Sequence, residues 1–273
     1  MTTLTLHLTD DQADAIRAAL AAKTAQDAPM STAVTNTCAP DRTGPPQPDE
    51  NGTVTLTADD FDDTGLYRWG DSITVENRLV IDVKFWARFG WGIEAGGGIE
   101  AGWGIKAGGD IKAGWGIEAG WGIKAGGGIK AGWGIEAGWG IEAGGGIEAG
   151  WGIKAGEGIK AGWGIKAGGG IKAGWGIEAG WGIEAGEGIK AGGGIKAGEG
   201  IKAGGGIKAG EGIKAGEGIK AGEGIKAGEG FGLFAGVSVT IKNPTRTIEC
   251  AHHDGGEIRY GDLVLIGGGQ NDD

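Results

Sequence analysis

From Ile93 to Ile225 isoleucine recurs at every sixth residue, 23 times in succession, in the unit Ile-(Glu or Lys)-Ala-Gly-x-Gly. A period of six matches no helix of 3.6 residues per turn, and two glycines per unit would each cost about 1 kcal/mol relative to alanine in a helix. A strand, with its period of two, fits locally. Ile and Ala then share the inner face of each Ile-Glu-Ala or Ile-Lys-Ala stretch, and the charged residue points to water. Gly-x-Gly is expected to form a corner, with glycine supplying the positive φ angles of a tight bend. Strand and corner make one side of a coil. Coils stacked ~4.8 Å apart would pair backbone with backbone over an internal isoleucine ladder. The fold class that follows is mainly β: a β-solenoid of hexads with a small N-terminal strand-helix unit and β caps. A Gly-rich tract without a packed core is the competing expectation, because ordering each residue costs ~1–2 kcal/mol and glycine is the most expensive to order.

The x position bears on coil size. In steps of twelve from Trp91 it reads W W W G W W W W E E E E, and in steps of eighteen W G G G W W E E. The greater regularity favours two hexads per coil. Duplication in twelve-residue blocks would leave the same pattern, so three-sided coils of eighteen remain open, as does handedness.

The flanks divide the rest. Leu4, Leu6 and Leu8 alternate in a short strand, and Thr9 with Gln12 starts a helix carrying Ala13, Ile16 and Leu20, giving a strand-helix unit over 1–23. A flexible linker over 24–52 holds five of the six prolines. A β-rich N-terminal cap is expected over 53–90, with strand-like sequence at Thr53 to Thr57 and Ile73 to Phe85 around the acidic loop Asp59 to Asp63. The hexad solenoid covers 91–230. A β-rich C-terminal cap covers 231–268, in which Phe231 and Val237 continue the hexad register, and 269–273 is a tail.

Charge narrows the function classes. The chain carries a net −11, yet between Trp91 and Gly230 there are 15 Lys against 15 Glu and one Asp, so the flanks hold nearly all of the excess. The repeat surface is neither a polyanion mimicking DNA nor basic enough to grip phosphates, and no nucleic-acid partner is expected. Cys38 and Cys250 form no disulfide framework and belong to no paired motif. The N-terminus lacks a signal-peptide pattern and no apolar run approaches the ~20 residues of a membrane span, so the default localisation is cytoplasmic.

A six-residue period resembles that of the left-handed hexapeptide solenoids, which ask for a small Ser, Thr, Ala or Val four residues after the aliphatic one. Here Gly97 follows Ile93 and Trp103 follows Ile99 at that distance, so the acyltransferase activity common in that family is not implied. As a β-repeat with irregular flanks, the chain is loosely similar to the polymer-forming bactofilin solenoids. That resemblance covers the repeat block only and implies a scaffold that assembles.

Tryptophan carries the functional expectation. On a twelve-residue coil Trp91, Trp103, Trp115, Trp139, Trp151, Trp163 and Trp175 would stack along one edge, with Trp121, Trp133 and Trp181 on the other. Such a stripe suits a protein partner or a sugar ring, or else it only covers the glycine corners by cross-strand stacking. From Lys190 to Lys226 the charged position is all lysine, and Glu187, Glu199, Glu211, Glu217, Glu223 and Glu229 offset it; this reads as a solvated, self-neutralising face. Cys250, His252, His253 and Asp254 form a compact group with metal-binding side chains, but without zinc-site spacing. Asp59 to Asp63 lacks the spacing of an EF-hand and reads as a solvated loop. No cofactor, metal or catalytic residue is expected. The first expectation is a non-enzymatic structural or scaffold protein that binds a protein partner or itself; the alternatives are a carbohydrate-binding module using the Trp stripe, or an enzyme with its site in the flanks near His252.

Overall fold

A computed structural model describes residues 44–228, 232–235, 247–250, 252–253 and 257–265. The strand-helix unit, most of the Pro-rich linker, Phe231, Val237 and the C-terminal tail lie outside the described residues. Each hexad forms a three-residue strand, such as Ile147–Ala149, with Ile and Ala buried and the charged residue between them exposed. Among the described residues the strands build three parallel sheets, two of eleven strands and one of ten, and each strand after Val54–Leu56 pairs with the third one along the chain. Ile129, for example, lies opposite Ile147, and Lys130 opposite Glu148.

One coil is therefore eighteen residues and three hexads, which corrects the twelve-residue coil favoured by the x pattern. The x residues are exposed or half-buried at the corners. Their regularity thus carries no information on how the interior closes, which the buried Ile and Ala determine. Isoleucine and alanine from three sides fill the prism, so the core is one continuous column along the whole array.

The corners also differ from expectation. Among the described residues only Gly52, Gly65, Gly70 and Gly261 have positive φ, and none is a corner of the hexad array. The ladder instead runs straight through the corners. Trp151 donates its N–H to the Trp133 carbonyl (3.1 Å), and Gly150 donates to that of Ala131 (3.1 Å). Successive corners are thereby held at the spacing of neighbouring strands. A Cβ on Gly150 would lie 1.9 Å from the Gly132 carbonyl oxygen. The first glycine is thus required for close approach between coils, not for a turn.

The same three sheets continue through Val54–Leu56, Ile73–Val75, Leu79–Ile81 and Ala87–Phe89. Here Phe61 is buried against Tyr67, Phe85 and Phe89 with ring centroids 5.5–6.0 Å apart. The acidic loop is not simply solvated. Asp60 is buried at the end of a short 3-10 turn, Ala58–Asp60, and its carboxylate accepts the Thr57 N–H (2.9 Å) and the Trp69 indole N–H (3.1 Å). Asp62 accepts the N–H groups of Leu66 and Thr64 and the Thr64 hydroxyl, and these bonds hold its carboxyl below the usual range. At the other end Leu233, not a residue in hexad step, lies opposite Ile213, so the register has moved by two residues.

Candidate functional site

Three corners and three faces create three grooves parallel to the solenoid axis. Each has a floor of second-position corner glycines and isoleucine backbone, one rim of x residues and one rim of Glu/Lys residues. In this floor the isoleucine N–H groups and the glycine carbonyls are spent on the ladder, as in Ile147 N–H to Gly164 O (3.0 Å), while the N–H groups of the second-position glycines take no part in it.

The grooves differ at their ends. In the second groove, of about 690 Å³, the Trp86 indole lies flat over the floor, so close that a Cβ on Gly104 would meet its ring at 2.5 Å; Phe234 lines the same groove. The third, of about 780 Å³, begins at Gly146, and the one break in the hexad lies two coils before it on the same corner. Asp110 replaces the second corner glycine, and its carboxylate accepts the Gly128 N–H (2.7 Å) and pairs with Lys112 (3.0 Å). The backbone donor first, then Lys112, holds the Asp110 carboxyl below its ordinary value, while Asp110 raises the Lys112 ammonium. The Asp110 carboxylate also fills the space beside Gly127, where a Cβ would lie 2.1 Å from Oδ1. The first groove is the largest, about 1430 Å³, and runs without such a plug from Gly98 to Gly224.

The single aromatic edge expected of a twelve-residue coil does not exist. An eighteen-residue coil sorts the seven candidates onto three corners: Trp91 and Trp163 on one, Trp115 and Trp151 on the second, Trp103, Trp139 and Trp175 on the third. Trp133, expected on the opposite edge, stands between Trp115 and Trp151, with ring centroids 5.8 and 6.2 Å from theirs. Trp121 likewise joins Trp103 and Trp139 at 4.2 and 4.5 Å, and Trp181 stacks on Trp163 at 5.6 Å. The stacked rings turn their faces to one another, which is the geometry of cross-strand stacking, whereas Trp91 and Trp175 have no stacked ring and stay 68% and 72% exposed. Trp115, Trp133 and Trp151 nevertheless stay 59–72% exposed and form the rim of the first groove.

The eighteen-residue coil also sorts the charges into rows. On the first face the outward residues along the axis are Glu100, Glu118, Glu136, then Lys154, Lys172, Lys190, Lys208 and Lys226. The other two faces mix their signs and neutralise them within the row, through Lys124–Glu142 (2.8 Å) and Lys196–Glu178 (3.0 Å) on one and Lys130–Glu148 (3.1 Å) and Lys202–Glu184 (3.4 Å) on the other. Lys196 holds the Glu178 carboxyl below its usual value. On the first face ion pairs form only at the ends of the acidic block, Arg78–Glu100 and Lys154–Glu136. Glu118, Lys172, Lys190, Lys208 and Lys226 have no ion-pair partner within 4.0 Å among the described residues.

Cys250 is buried at the end of Thr247–Cys250, and His253 lies on the neighbouring sheet with a buried Nε2 that has no hydrogen-bond partner. Asp254 and the His252 side chain lie outside the description. Among the described residues no three His, Cys, Asp or Glu gather as a metal site, and no helix is long and apolar enough to cross a membrane. No protein-family model, curated protein or solved structure matches the chain. The similarity to bactofilins therefore extends no further than a parallel β-solenoid.

Proposed function

We propose that the chain is a non-enzymatic scaffold whose solenoid offers a long, periodic surface to a protein partner or to a second copy of itself. One observation carries this reading: each row along the axis presents one residue per coil, and the first groove, with its exposed Trp115, Trp133 and Trp151, continues through eight coils. At ~4.8 Å per coil that is about 34 Å of regular surface, suited to an extended or flat partner more than to a small substrate. Exposed tryptophans at the centre of such a strip are the residues that most often anchor protein contacts.

Chemical cross-linking of the full chain in its own cells, with adducts mapped by mass spectrometry, tests the proposal. Adducts clustered on the Trp115 and Lys172 rows, and lost when the three tryptophans are replaced by serine, are the expected result. Stable adducts confined to residues outside the repeat would sink it.

A further inference from the structure

The first face is self-complementary, and we infer that it docks, antiparallel, onto the same face of a second copy of this chain. The inference rests on the scaffold reading and names the partner for it. A two-fold axis along the strand direction keeps strand direction while reversing the order of the coils. The strand beginning at Ile99 then lies against the strand at Ile225 of the other copy, and the remaining coils follow in step.

In that register Glu100 faces Lys226, Glu118 faces Lys208 and Glu136 faces Lys190, each twice by symmetry; only Lys154 and Lys172 meet a like charge. The parallel arrangement would set every charge against itself. The aromatic rim obeys the same operation. Trp115 comes opposite Gly205 and Trp151 opposite Gly169, so two bulky rings meet positions without side chains, and Trp133 meets Glu187. Charge and volume are thus complementary in the same register.

The third face has a comparable pairing, yet Lys112, Lys130, Glu148, Glu184 and Lys202 are already held in ion pairs; on the first face Glu100 and Glu136 are held by Arg78 and Lys154, and Glu118 and four of the five lysines have no ion-pair partner among the described residues. A row of like charges one coil apart repels itself, and an opposite row on a partner relieves both. A strip about 34 Å long and about 15 Å wide gives on the order of 1,000 Å² of total buried surface, the lower end of specific interfaces. The dimer should therefore be reversible, concentration-dependent and weakened by salt.

Sedimentation velocity on the full chain from about 1 to 100 μM, at low and at high salt, reads the dimer directly. Two variants settle the face: Glu100→Lys with Glu118→Lys and Glu136→Lys, and Lys190→Glu with Lys208→Glu and Lys226→Glu. Each alone should raise the dimer Kd at least about 100-fold, and an equimolar mixture of the two should restore association, because six opposite pairs re-form between them. Recovery in the mixture excludes misfolding as the cause. A wild-type chain that stays monomeric to about 100 μM at low salt overturns the self-docking, and cross-links from these rows to a different protein would then still uphold the scaffold reading. A dimer untouched by both variants, or one broken by reversing Glu94, Glu148 and Glu184 on the third face instead, also overturns it.

Discussion

The coils before Trp91 and those after it share three sheets but use glycine and aromatic residues in opposite ways. In the first segment Gly52, Gly65 and Gly70 take φ of +73°, +76° and +135°, and Phe61, Tyr67, Phe85 and Phe89 fill the interior. In the array no described corner glycine has positive φ, isoleucine and alanine fill the interior, and the tryptophans are outside. Parallel pairing with buried alternate residues is what the two have in common, so that requirement defines the fold. Glycine serves whichever local need arises, a bend in one segment and close backbone approach in the other.

The largest effect is expected at the aromatic end. Phe61→Ala removes a fully buried ring that touches three others and should cost about 3–5 kcal/mol locally. Because each coil contacts only its neighbours, hydrogen exchange should accelerate across Val54–Leu56 and Ala87–Phe89 and stay unchanged near Ile165. Uniform loss of protection along the array would show that the two segments unfold as one unit.

Next comes the division of labour between the two corner glycines. Gly150→Ala forces a Cβ to 1.9 Å from the Gly132 carbonyl and should cost about 3 kcal/mol, whereas Gly134→Ala meets nothing closer than 3.5 Å and should stay within about 0.5 kcal/mol. Thermal melts of the two variants suffice. Equal destabilisation would mean that conformational freedom, not close approach, is what the array asks of glycine.

Much of this architecture was legible in the sequence. The alternation in Ile-Lys-Ala, set against the impossibility of a six-residue period in a helix, predicts strands with buried Ile and Ala, and each strand of the array has that pattern. The coil length was not legible, because the residues that looked informative were exposed ones. Trp91 and Trp103 are two hexads apart and sit on different corners, while Trp115 and Trp133, three hexads apart, stack. The first-face block of three Glu and five Lys appears only when the sequence is read in steps of eighteen. Asp60 shows the converse limit: an aspartate in an acidic run looks solvated until Thr57 and Trp69 are seen to supply its donors.

A smaller effect concerns the Trp rows. Trp133→Ala removes two ring contacts from the row Trp115–Trp133–Trp151 and should lower stability by about 1 kcal/mol, with the loss confined to adjacent coils. A change near zero would assign these rings wholly to binding.

Asp110 offers the mildest test and the one with a defined pH dependence. Its folded pKa lies below the ordinary 3.8, so the stability it contributes is present above that value and disappears as pH falls through the lower, folded one. Lys112 behaves conversely: raised above 10.5, it keeps its contribution below that value and loses it as the pH climbs through the folded one. The half-exposed carboxylate limits the gain, and Asp110→Asn should cost about 0.5–1 kcal/mol at neutral pH, with the difference from wild type shrinking below about pH 3.8. Asp110→Gly restores the hexad and should also free the neighbouring corner. Gly127→Trp, blocked by the carboxylate in the wild-type chain, should fold in the Asp110→Gly background, measured as a recovered melt of the double variant. If Gly127→Trp is equally damaging in both backgrounds, the carboxylate is not what keeps that corner bare.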